Sequence, residues 1–398
     1  MRVGVSGLAV GNSSGLGRLS RIYLLALASA APQWELHVYL RSPHDIHTLR
    51  AECDQQTQSA LDNLVPHYPP TQALNRLLLE EWDLPRQFAR LKLDAYLGCD
   101  FTLPPAPLAK REVVILPDLI PFTNPGTVSW RARWLYRRGV RRSLRRRACM
   151  LCISQHTLET LRRLFPRDSS EARVVYPALS PRLWQLARQL HVSDHALQVT
   201  GSLHQLVDPG RFILSVGVAG PRKNTELLVR VYRSVVLDGE YRGSLVLVGG
   251  DGRFHTAPYG TKLALQPVGL APAERSHGAE IHDLGRVSDH ELSQLYAAAD
   301  LLVCLSTEEG FGFPVLEALA HGTPALVTAG SSMTEIAERG IAATPLNFEE
   351  CRQRLVSTVH AQPLLRQEAA CLPVEKYSVE RLGRELLAAL QGGGSKGE

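Results

Sequence analysis

Long apolar runs are absent from this sequence of 398 residues. None reaches the roughly 20 residues that a helix needs to cross a bilayer. The first residues, MRVGVSGLAVGNSSGLG, are interrupted by glycine and predict a strand and a loop, which argues against a signal peptide. We therefore expect a cytoplasmic protein without a membrane-spanning segment.

Cysteine is also scarce, and metal-ligand patterns are missing. The seven cysteines are odd in number and scattered through apolar segments, so they do not form a disulfide framework. Cys149 and Cys152 make a CxxC inside a segment typical of a buried strand, which favours core packing over redox or metal chemistry. No D-x-D pair and no His/Cys cluster with ligand spacing occurs, so we expect no metal and no other cofactor.

The residues that are present indicate a globular protein of two domains. The length suits two domains of roughly 150–200 residues each. An apolar fraction of 44% with 21% charged residues is typical of globular chains. Residues 1–200 hold 26 Lys and Arg against 16 Asp and Glu, whereas the remainder holds 18 against 23. A basic first half and an acidic second half predict two surfaces with different partners.

Both halves alternate strands with helices. The strand candidates are RVGVSG (2–7), LHVYLR (36–41), DAYLGCD (94–100), VVILPD (113–118), CMLCIS (149–154), FILSVG (212–217), SLVLVG (244–249), EIHDLG (280–285), DLLVCLS (300–306) and ALVT (325–328). Capping patterns begin at Ser288 and Asn347, and Pro314 suits the first turn of a helix that Gly322 ends. The pattern predicts an α/β protein with two doubly wound parallel sheets, whose ligands lie beyond the carboxyl ends of the strands.

Domain boundaries follow from the same pattern. We expect the last strong helix to cross back and pack on the first domain, and the glycine-rich end to be a disordered tail. The predicted segments are a first Rossmann-like domain (1–180), a linker (181–210), a second Rossmann-like domain (211–376), a C-terminal helix (377–391) and a tail (392–398).

The stretch STEEGFGFPVLEALAHGTPA places Glu309 before a glycine turn and Glu317 after it. The turn between them consists of Gly310, Phe311, Gly312 and Phe313. Its glycines let a ligand approach the backbone, and its amides lie at a helix N-terminus, which attracts anions. An anion held between two carboxylates that accept hydroxyl hydrogen bonds describes a phosphorylated sugar. The alternative is that Glu309 is merely solvated and Glu317 merely favours the start of the helix.

This stretch resembles the E-x7-E motif of the retaining GT-B glycosyltransferases of family 4. The resemblance covers most of the chain and is strongest in 211–336, where FILSVGVAGPRKNTELL, LGRVSDHELSQLYAAAD and the E-x7-E segment keep the order and spacing of the family. It implies two facing Rossmann-like domains that bind an acceptor in the first and a nucleotide-sugar donor in the second. In such proteins the residue matching Glu309 lies by the donor sugar, and the one matching Glu317 holds the ribose.

The segment GPRKN supplies Arg222 and Lys223 directly after a strand. Positive charge there can neutralise the diphosphate that departs when a glycosidic bond breaks. The resemblance implies this role for Lys223, whereas Arg222 stands in for an arginine that relatives often have where this chain has Val218. An ordinary solvated pair at a helix start is the alternative.

Two segments of the first domain extend the resemblance. The loop GNSSGLGR, with Gly15 and Gly17, resembles the one that meets the donor diphosphate and the acceptor, although a tight turn explains it as well. In VVILPDLIP, Pro117 stands where relatives often have a histidine that contacts the donor sugar. Asp118 beside it is a candidate for positioning the substrate or, equally, for capping a loop.

The segment GRVSD resembles the region that touches the nucleotide base, mostly through backbone groups. Arg286 and Val287 are the candidates there.

An arginine-rich stretch, WRARWLYRRGVRRSLRRRAC, holds nine arginines within 131–147. Trp130 and Trp134 lie one helical turn apart. A solvated helix face explains the pattern, and contact with anionic lipid or a phosphorylated acceptor is the alternative. No nucleic-acid module is recognised, so we expect no nucleic-acid partner.

The predicted function is transfer of a hexose from a nucleotide-diphosphate sugar to a glycan or lipid-linked acceptor, with retention and without metal. The alternative is a non-catalytic nucleotide-sugar-binding subunit that supports a partner transferase. A peripheral position at the inner face of the membrane is compatible with either.

Overall fold

The computed structural model describes residues 1–55, 57–70, 76–192, 211–217, 221–249 and 280–392. The chain forms two compact units. Unit 1 combines Met1–Arg182 with Val374–Glu398, and unit 2 is Leu183–Pro373. Within the predicted linker and tail, residues 193–210 and 393–398 lie outside the described residues.

In its described residues, unit 1 contains a parallel sheet of seven strands in the order β3-β2-β1-β4-β5-β6-β7. The strands are β1 Arg2–Ser6, β2 Glu35–Tyr39, β3 Leu64–His67, β4 Leu93–Gly98, β5 Ala109–Leu116, β6 Cys149–Cys152 and β7 Ala172–Val174. Val3 pairs with Leu36 on one side and Ala95 on the other. The central strands are buried on both faces, which explains their continuous apolar sequences.

Helices cover the faces of this sheet. They are α1 Gly15–Ala30, α2 His44–Arg50, α3 Arg76–Leu78, α4 Leu84–Phe88, α5 Ile120–Thr123, α6 Trp130–Arg145 and α7 Gln155–Leu164, with a π turn Leu79–Asp83 joining α3 to α4. Helix α8, Pro181–Val192, begins in unit 1 and continues into unit 2. None of the helices among the described residues is both long and apolar enough to cross a bilayer.

Unit 2 contains, in its described residues, a six-stranded parallel sheet in the order β10-β9-β8-β11-β12-β13. The strands are β8 Phe212–Val216, β9 Ser244–Val248, β10 Ile281–Asp283, β11 Leu301–Cys304, β12 Ala325–Thr328 and β13 Ile341–Thr344. The helices are α9 Thr225–Leu237, α10 Asp289–Ala298, α11 Phe313–Ala320, α12 Phe348–His360 and α13 Gln362–Ala369. The capping box predicted at Ser288 is confirmed, because its side chain accepts from the Glu291 amide and the Glu291 carboxylate accepts from the Ser288 amide.

The C-terminal helix α14, Val379–Gln391, returns to unit 1 and packs on α1. Gly383 makes the close approach between the two helices possible, since a Cβ there would lie 2.6 Å from Ala30 Cβ and 2.7 Å from Ala26 O. Arg111 Nε on β5 donates to Ala389 O at 2.9 Å.

Both sheets have the doubly wound α/β topology that the sequence predicts. In each sheet the strand order reverses at one point, between β1 and β4 in unit 1 and between β8 and β11 in unit 2. Open parallel sheets bind ligands outside the carboxyl ends of the strands at such a reversal. The loops that follow these four strands are therefore where functional side chains are expected.

Candidate active site

In unit 2, the loops after β8 and β11 meet at the reversal point. Strand β8 ends at Val216, and Gly217 follows with φ +138°, a conformation that favours glycine. Residues 218–220, including Val218, lie outside the described part of the chain. A single 3₁₀ turn, Pro221–Lys223, then leads into α9.

Three predicted side chains meet there and are called the charged triad: Arg222, Lys223 and Glu309. Glu309 Oε1 lies 2.7 Å from Lys223 Nζ and 2.9 Å from Arg222 Nη1. Its side chain is 14% exposed, so the pairs are only partly screened by water. The prediction placed these residues around one ligand, and the structure brings them into direct contact.

The electrostatics keep Glu309 ionised. Burial alone raises the pKa of a carboxyl, but the charges of Lys223 and Arg222, with hydrogen bonds from Lys223 and Ser306, outweigh it and lower the pKa of Glu309 below its usual value. The charged triad therefore has a net charge of about +1 at neutral pH. It can attract a phosphate while presenting a carboxylate to a neighbouring hydroxyl.

Hydrogen bonds fix the loop that holds Glu309. Arg222 Nη1 donates to Glu308 O at 2.8 Å, and the Thr307 amide donates to Arg222 O at 2.8 Å, which tie the β8 and β11 loops together. The Ser332 hydroxyl lies 2.8 Å from Glu309 O and 3.2 Å from Phe311 O. Sequence analysis missed Ser332, although its place just after β12 was an available signal.

The glycine turn ends at Gly312, the residue before α11. Gly312 has φ +110°, and a Cβ there would lie 2.6 Å from Met333 Cγ. The turn thus requires glycine for its conformation and for its packing. Phe311 is buried and packs edge-to-face with the ring of Phe313, with 5.5 Å between the ring centroids. Gly310 lies between Glu309 and Phe311 in the sequence.

Glu317 occupies the second turn of α11 and is 1% exposed. Tyr296, on α10, donates its hydroxyl to Glu317 Oε2 at 2.8 Å. Sequence analysis missed Tyr296, which no local motif indicates because it reaches Glu317 from a different helix. The tyrosine fixes the orientation of the carboxylate.

Arg286 and Val287 lie in the loop between β10 and α10. The Gly249 amide donates to Gly285 O at 2.7 Å, which fastens this loop to the end of β9. Arg286 is exposed and Val287 is half-buried. Strand β10 is two strands away from β8, so this pair lies outside the charged triad.

In unit 1, the glycine loop follows β1 and leads into α1, which begins at Gly15 with Ser14 as its N-cap. Gly17 is buried, and a Cβ there would lie 1.9 Å from Asn12 O, whereas a Cβ at Gly15 would meet nothing within 4 Å. Arg21 Nη1 supports the loop from beneath by donating to Val10 O at 2.8 Å and Asn12 O at 2.9 Å. The buried carboxylate of Glu52 in turn pairs with Arg21 Nε at 2.8 Å.

Asp118 follows β5, next to the reversal point of the unit 1 sheet. Its Oδ1 accepts from the Ile120 amide at 3.0 Å and so closes the turn that leads into the short helix α5. Its backbone carbonyl accepts from the Tyr136 hydroxyl. The loop-capping alternative is therefore present in the geometry, with the half-buried carboxylate beside the buried Pro117.

Comparisons with known proteins bear on both units. Residues 204–350 match the family model described as "Glycosyl transferases group 1". These residues form a group 1 glycosyltransferase domain. The match supports the glycosyltransferase group predicted from the E-x7-E motif, which lies within these residues.

Two bacterial proteins are among the curated relatives of this chain. An O-antigen chain mannosyltransferase B from Escherichia coli is 30% identical over 268 residues, which cover 66% of this chain and 65% of that protein. The O-antigen chain mannosyltransferase RfbU from Salmonella typhimurium is 24% identical over 257 residues, 65% of this chain and 63% of that protein. The matches thus span less than two thirds of these relatives' lengths.

Solved structures share the fold of the whole chain. Anabaena Alr3699/HepE in complex with UDP and glucose has a TM-score of 0.64 at 17% identity, covering 98% of this chain and 100% of that one. The lipopolysaccharide glycosyltransferase WaaG has a TM-score of 0.63 at 15% identity, covering 98% and 100%. The predicted GT-B fold is confirmed.

A charged network that sequence analysis missed lies at the reversal point of the unit 1 sheet. Ser6, at the end of β1, donates to Asp100 Oδ1 at 3.1 Å, and Asp100 follows β4. Arg76 joins Asp100 Oδ2 at 3.0 Å to Glu80 Oε1 at 2.5 Å. Both carboxylates are buried. The available signal was Asp100 at a strand end, but its partners come from α3 and the π turn, which have no recognisable motif.

This network predicts a pH-dependent stability. Burial raises the pKa of Glu80 to about 7, despite the opposing charge of Arg76 and with reinforcement from Asp100. Folded protein then binds more protons than unfolded protein between about pH 4.5 and about 7. The stabilising contribution is complete below that interval and is lost as the pH rises through it.

The side chain of the Glu80→Gln variant cannot titrate. As the pH rises through this interval, we expect the unfolding free energy of the parent to fall by about 1–3 kcal/mol more than that of the variant. Urea unfolding at several pH values measures the difference. Equal slopes for the parent and Glu80→Gln would contradict the assignment.

Within the described residues, no group of three or more His, Cys, Asp or Glu side chains is arranged to hold a metal ion. Cys149 and Cys152 are free, buried thiols of β6. Burial raises the pKa of Cys152 to about 12, so the thiolate needed for redox or metal chemistry is disfavoured. Core packing explains the CxxC.

Proposed function

We propose that the chain is a retaining, metal-independent glycosyltransferase that moves a hexose from a nucleotide-diphosphate sugar to a glycan or lipid-linked acceptor. The charged triad at the reversal point of the unit 2 sheet is the observation that supports this most directly. Its cations are placed to receive a diphosphate, and its ionised carboxylate lies within contact of the same cations. A transferase needs this combination because negative charge grows on the diphosphate as the bond to the sugar breaks.

Each predicted residue has a role in this proposal. Lys223 and Arg222 neutralise the departing diphosphate with the amides of the glycine turn, and Glu309 orients the sugar near the reacting carbon. Glu317 accepts from the ribose hydroxyls, while Arg286 and Val287 border the base. In unit 1 the loop with Gly15 and Gly17 and the carboxylate of Asp118 meet the acceptor and the sugar.

Mannose is the donor sugar that we propose first. The two curated relatives described above are mannosyltransferases by name. A third, a GDP-mannose-dependent alpha-(1-6)-phosphatidylinositol dimannoside mannosyltransferase from Mycobacterium tuberculosis, is 33% identical over 118 residues, 29% of this chain and 31% of that protein. These names support GDP-mannose as the donor and a bacterial surface glycan or a glycolipid as the acceptor.

Ligand-dependent stability tests the donor. A ligand that binds only the folded protein raises the unfolding midpoint by mass action. We expect GDP-mannose and GDP to raise it more than UDP-glucose, UDP or ADP-glucose at equal concentration, without added metal and in the presence of a chelator. Slow release of GDP from GDP-mannose by the purified protein would establish that the bound donor reacts. A higher midpoint with UDP-glucose alone would indicate a UDP-sugar as the donor instead. No change in the midpoint with any nucleotide-sugar would overturn the proposal.

A non-catalytic donor-binding subunit is the second candidate. Pro117 favours it, because the imidazole that relatives often place there is missing. The two candidates differ in turnover: a subunit would be stabilised by the donor without releasing nucleoside diphosphate. Comparing the parent with Pro117→His separates the two candidates further. A transferase that tolerates proline should release nucleoside diphosphate already as the parent protein, before the replacement.

The pairing of Tyr296 with Glu317 makes a matched prediction about the ribose site. Tyr296→Phe removes the donor to a buried carboxylate and should lower the unfolding free energy by about 1–3 kcal/mol. Tyr241→Phe is its control, because Tyr241 donates to Asp300 Oδ2 over the same 2.8 Å in the same unit. We expect similar losses of stability, measured by urea unfolding, but weaker nucleoside diphosphate binding only in Tyr296→Phe. Equal affinities in both variants would remove the ribose role from Glu317.

A further inference from the structure

Large exposed apolar side chains collect on one part of unit 1. Trp82, Trp130 and Trp134 are exposed, with 67% of Trp130 accessible to solvent. Leu77 and Leu78, also exposed, precede Trp82 on the helical segment Arg76–Phe88. Monomeric proteins seldom leave several such residues together unless they bind a partner.

One acidic residue fastens the two tryptophan-bearing segments together. Glu81, the neighbour of Trp82, pairs with Arg142 on α6 at 2.7 Å and with Arg138 at 3.2 Å. The guanidinium of Arg138 also lies over the ring of Trp134, 5.4 Å from its centroid. Trp82 follows Glu81 in the sequence, so these ion pairs join the segment that carries Trp82 to the helix that carries Trp134. The surface is therefore a single one built from two elements.

Helix α6 separates its two faces by chemistry. Its buried side contains Tyr136, Val140 and Leu144. Trp130 and Trp134 are followed on the outward stripe by Arg141 and Arg145, at i+11 and i+15 from Trp130, a spacing that repeats the same helical direction. The outward side thus combines the two tryptophans of its first turns with arginines along its whole length.

The arginines of α6 differ in their ion pairs. Arg142 and Arg146 are neutralised by Glu81 and Glu112. In the described part of the chain, no ion pair joins Arg141 or Arg145 to an acidic side chain. An open groove of ≈ 700 Å³ runs along this side of α6, lined by Trp130, Trp134 and the arginines of the helix.

We propose that this surface, called the Trp–Arg face and consisting of Leu77, Leu78, Trp82, Trp130, Trp134, Arg141 and Arg145, binds the surface of an anionic bilayer. Tryptophan and leucine enter the headgroup boundary, where an amphipathic indole is stable, and arginine contacts the lipid phosphates. Arginine side chains alone would be enough to bind nucleic acid or a free phosphorylated glycan. The clustered apolar side chains beside them favour a bilayer instead. The proposal extends the predicted range 130–147 to a second segment and does not depend on the transfer reaction.

Vesicle co-sedimentation of the full chain tests the proposal. We expect binding to vesicles of phosphatidylcholine with phosphatidylglycerol, and much weaker binding to phosphatidylcholine alone. Tryptophan fluorescence should shift to the blue on binding, since the exposed tryptophans lie on the Trp–Arg face while Trp34 is buried. Trp130→Ala with Trp134→Ala, and Arg141→Gln with Arg145→Gln, should each weaken partitioning by about tenfold or more.

A matched control is available in unit 2. Leu237 and Leu364 are 52% and 60% exposed, so Leu237→Ala with Leu364→Ala removes comparable apolar surface elsewhere and should leave vesicle binding unchanged. Thermal unfolding establishes that each variant is folded. Equal binding to neutral and anionic vesicles, or unchanged binding by the tryptophan variant, would overturn the proposal. Displacement from vesicles by duplex DNA or inorganic phosphate, to the same extent for the parent and the tryptophan variant, would also overturn it.

Discussion

Replacing Glu309 with glutamine is expected to lower sugar transfer at least about 100-fold while nucleoside diphosphate binds several times more tightly. The reason lies in the charged triad. Glu309 Oε1 is shared by Lys223 and Arg222 at 2.7 and 2.9 Å, so the carboxylate partly neutralises the cations that would receive the diphosphate. Glutamine keeps the shape but raises the net charge of the three side chains by one.

The opposite change provides the control. Lys223→Met removes a cation and should weaken nucleoside diphosphate binding about tenfold, since a charge-assisted contact is lost. Calorimetric titration with GDP and UDP measures affinity, and turnover of the preferred donor measures transfer. Glu308→Gln, on the adjacent residue outside the charged triad, should change neither quantity much.

The two measurements separate catalysis from structure. A carboxylate that only stabilises the fold would lose stability as glutamine, with no gain in affinity for nucleotide. Since the pKa of Glu309 is lowered, its ion pairs stabilise the protein above the usual glutamate range and are lost as the pH falls below it. Unchanged GDP affinity in Glu309→Gln, with near-normal turnover, would remove the residue from the site.

The parallel strands that the sequence revealed are central strands of their sheets, with the edge strand β10 as the exception. Strand β12 was predicted as Ala325–Thr328 and lies at those residues. The strands that went unpredicted are β3, β7 and β13, and each is an edge strand of its sheet. Edge strands are covered less and need no continuous apolar run, and β3 even contains Pro66. Their pairing is decided by neighbours rather than by their own sequence.

The site divides in the same way. Glu309, Gly312 and Glu317 could be proposed as candidates because one short stretch contains them together with the turn that connects them. Tyr296 and Ser332 hold those residues from other elements, and sequence separation hid them. The contact of Glu309 with both cations was also hidden, because it depends on the register of β8 against β11. Chemistry that lies within one loop can be predicted, whereas chemistry shared between loops requires the fold.

The second large effect is expected at Gly17, where alanine should destabilise the protein by about 2–4 kcal/mol or prevent folding. A Cβ there would lie 1.9 Å from Asn12 O and 2.9 Å from Ala9 O, both backbone atoms. Arg21 holds this backbone with hydrogen bonds to Val10 O and Asn12 O, so it cannot move aside easily. Urea unfolding, or the yield of folded protein, measures the effect.

Gly15→Ala is the matched variant from the same loop, two residues earlier and with open space at its Cβ. Its stability should equal or slightly exceed that of the parent, because alanine favours the first turn of α1. If a ligand approaches the backbone here, the added methyl group should raise the KM for donor or acceptor although the fold is intact. Unchanged KM and kcat in Gly15→Ala would mean that the glycine loop is only a tight turn. A stable Gly17→Ala would instead contradict the packing that distinguishes the two glycines.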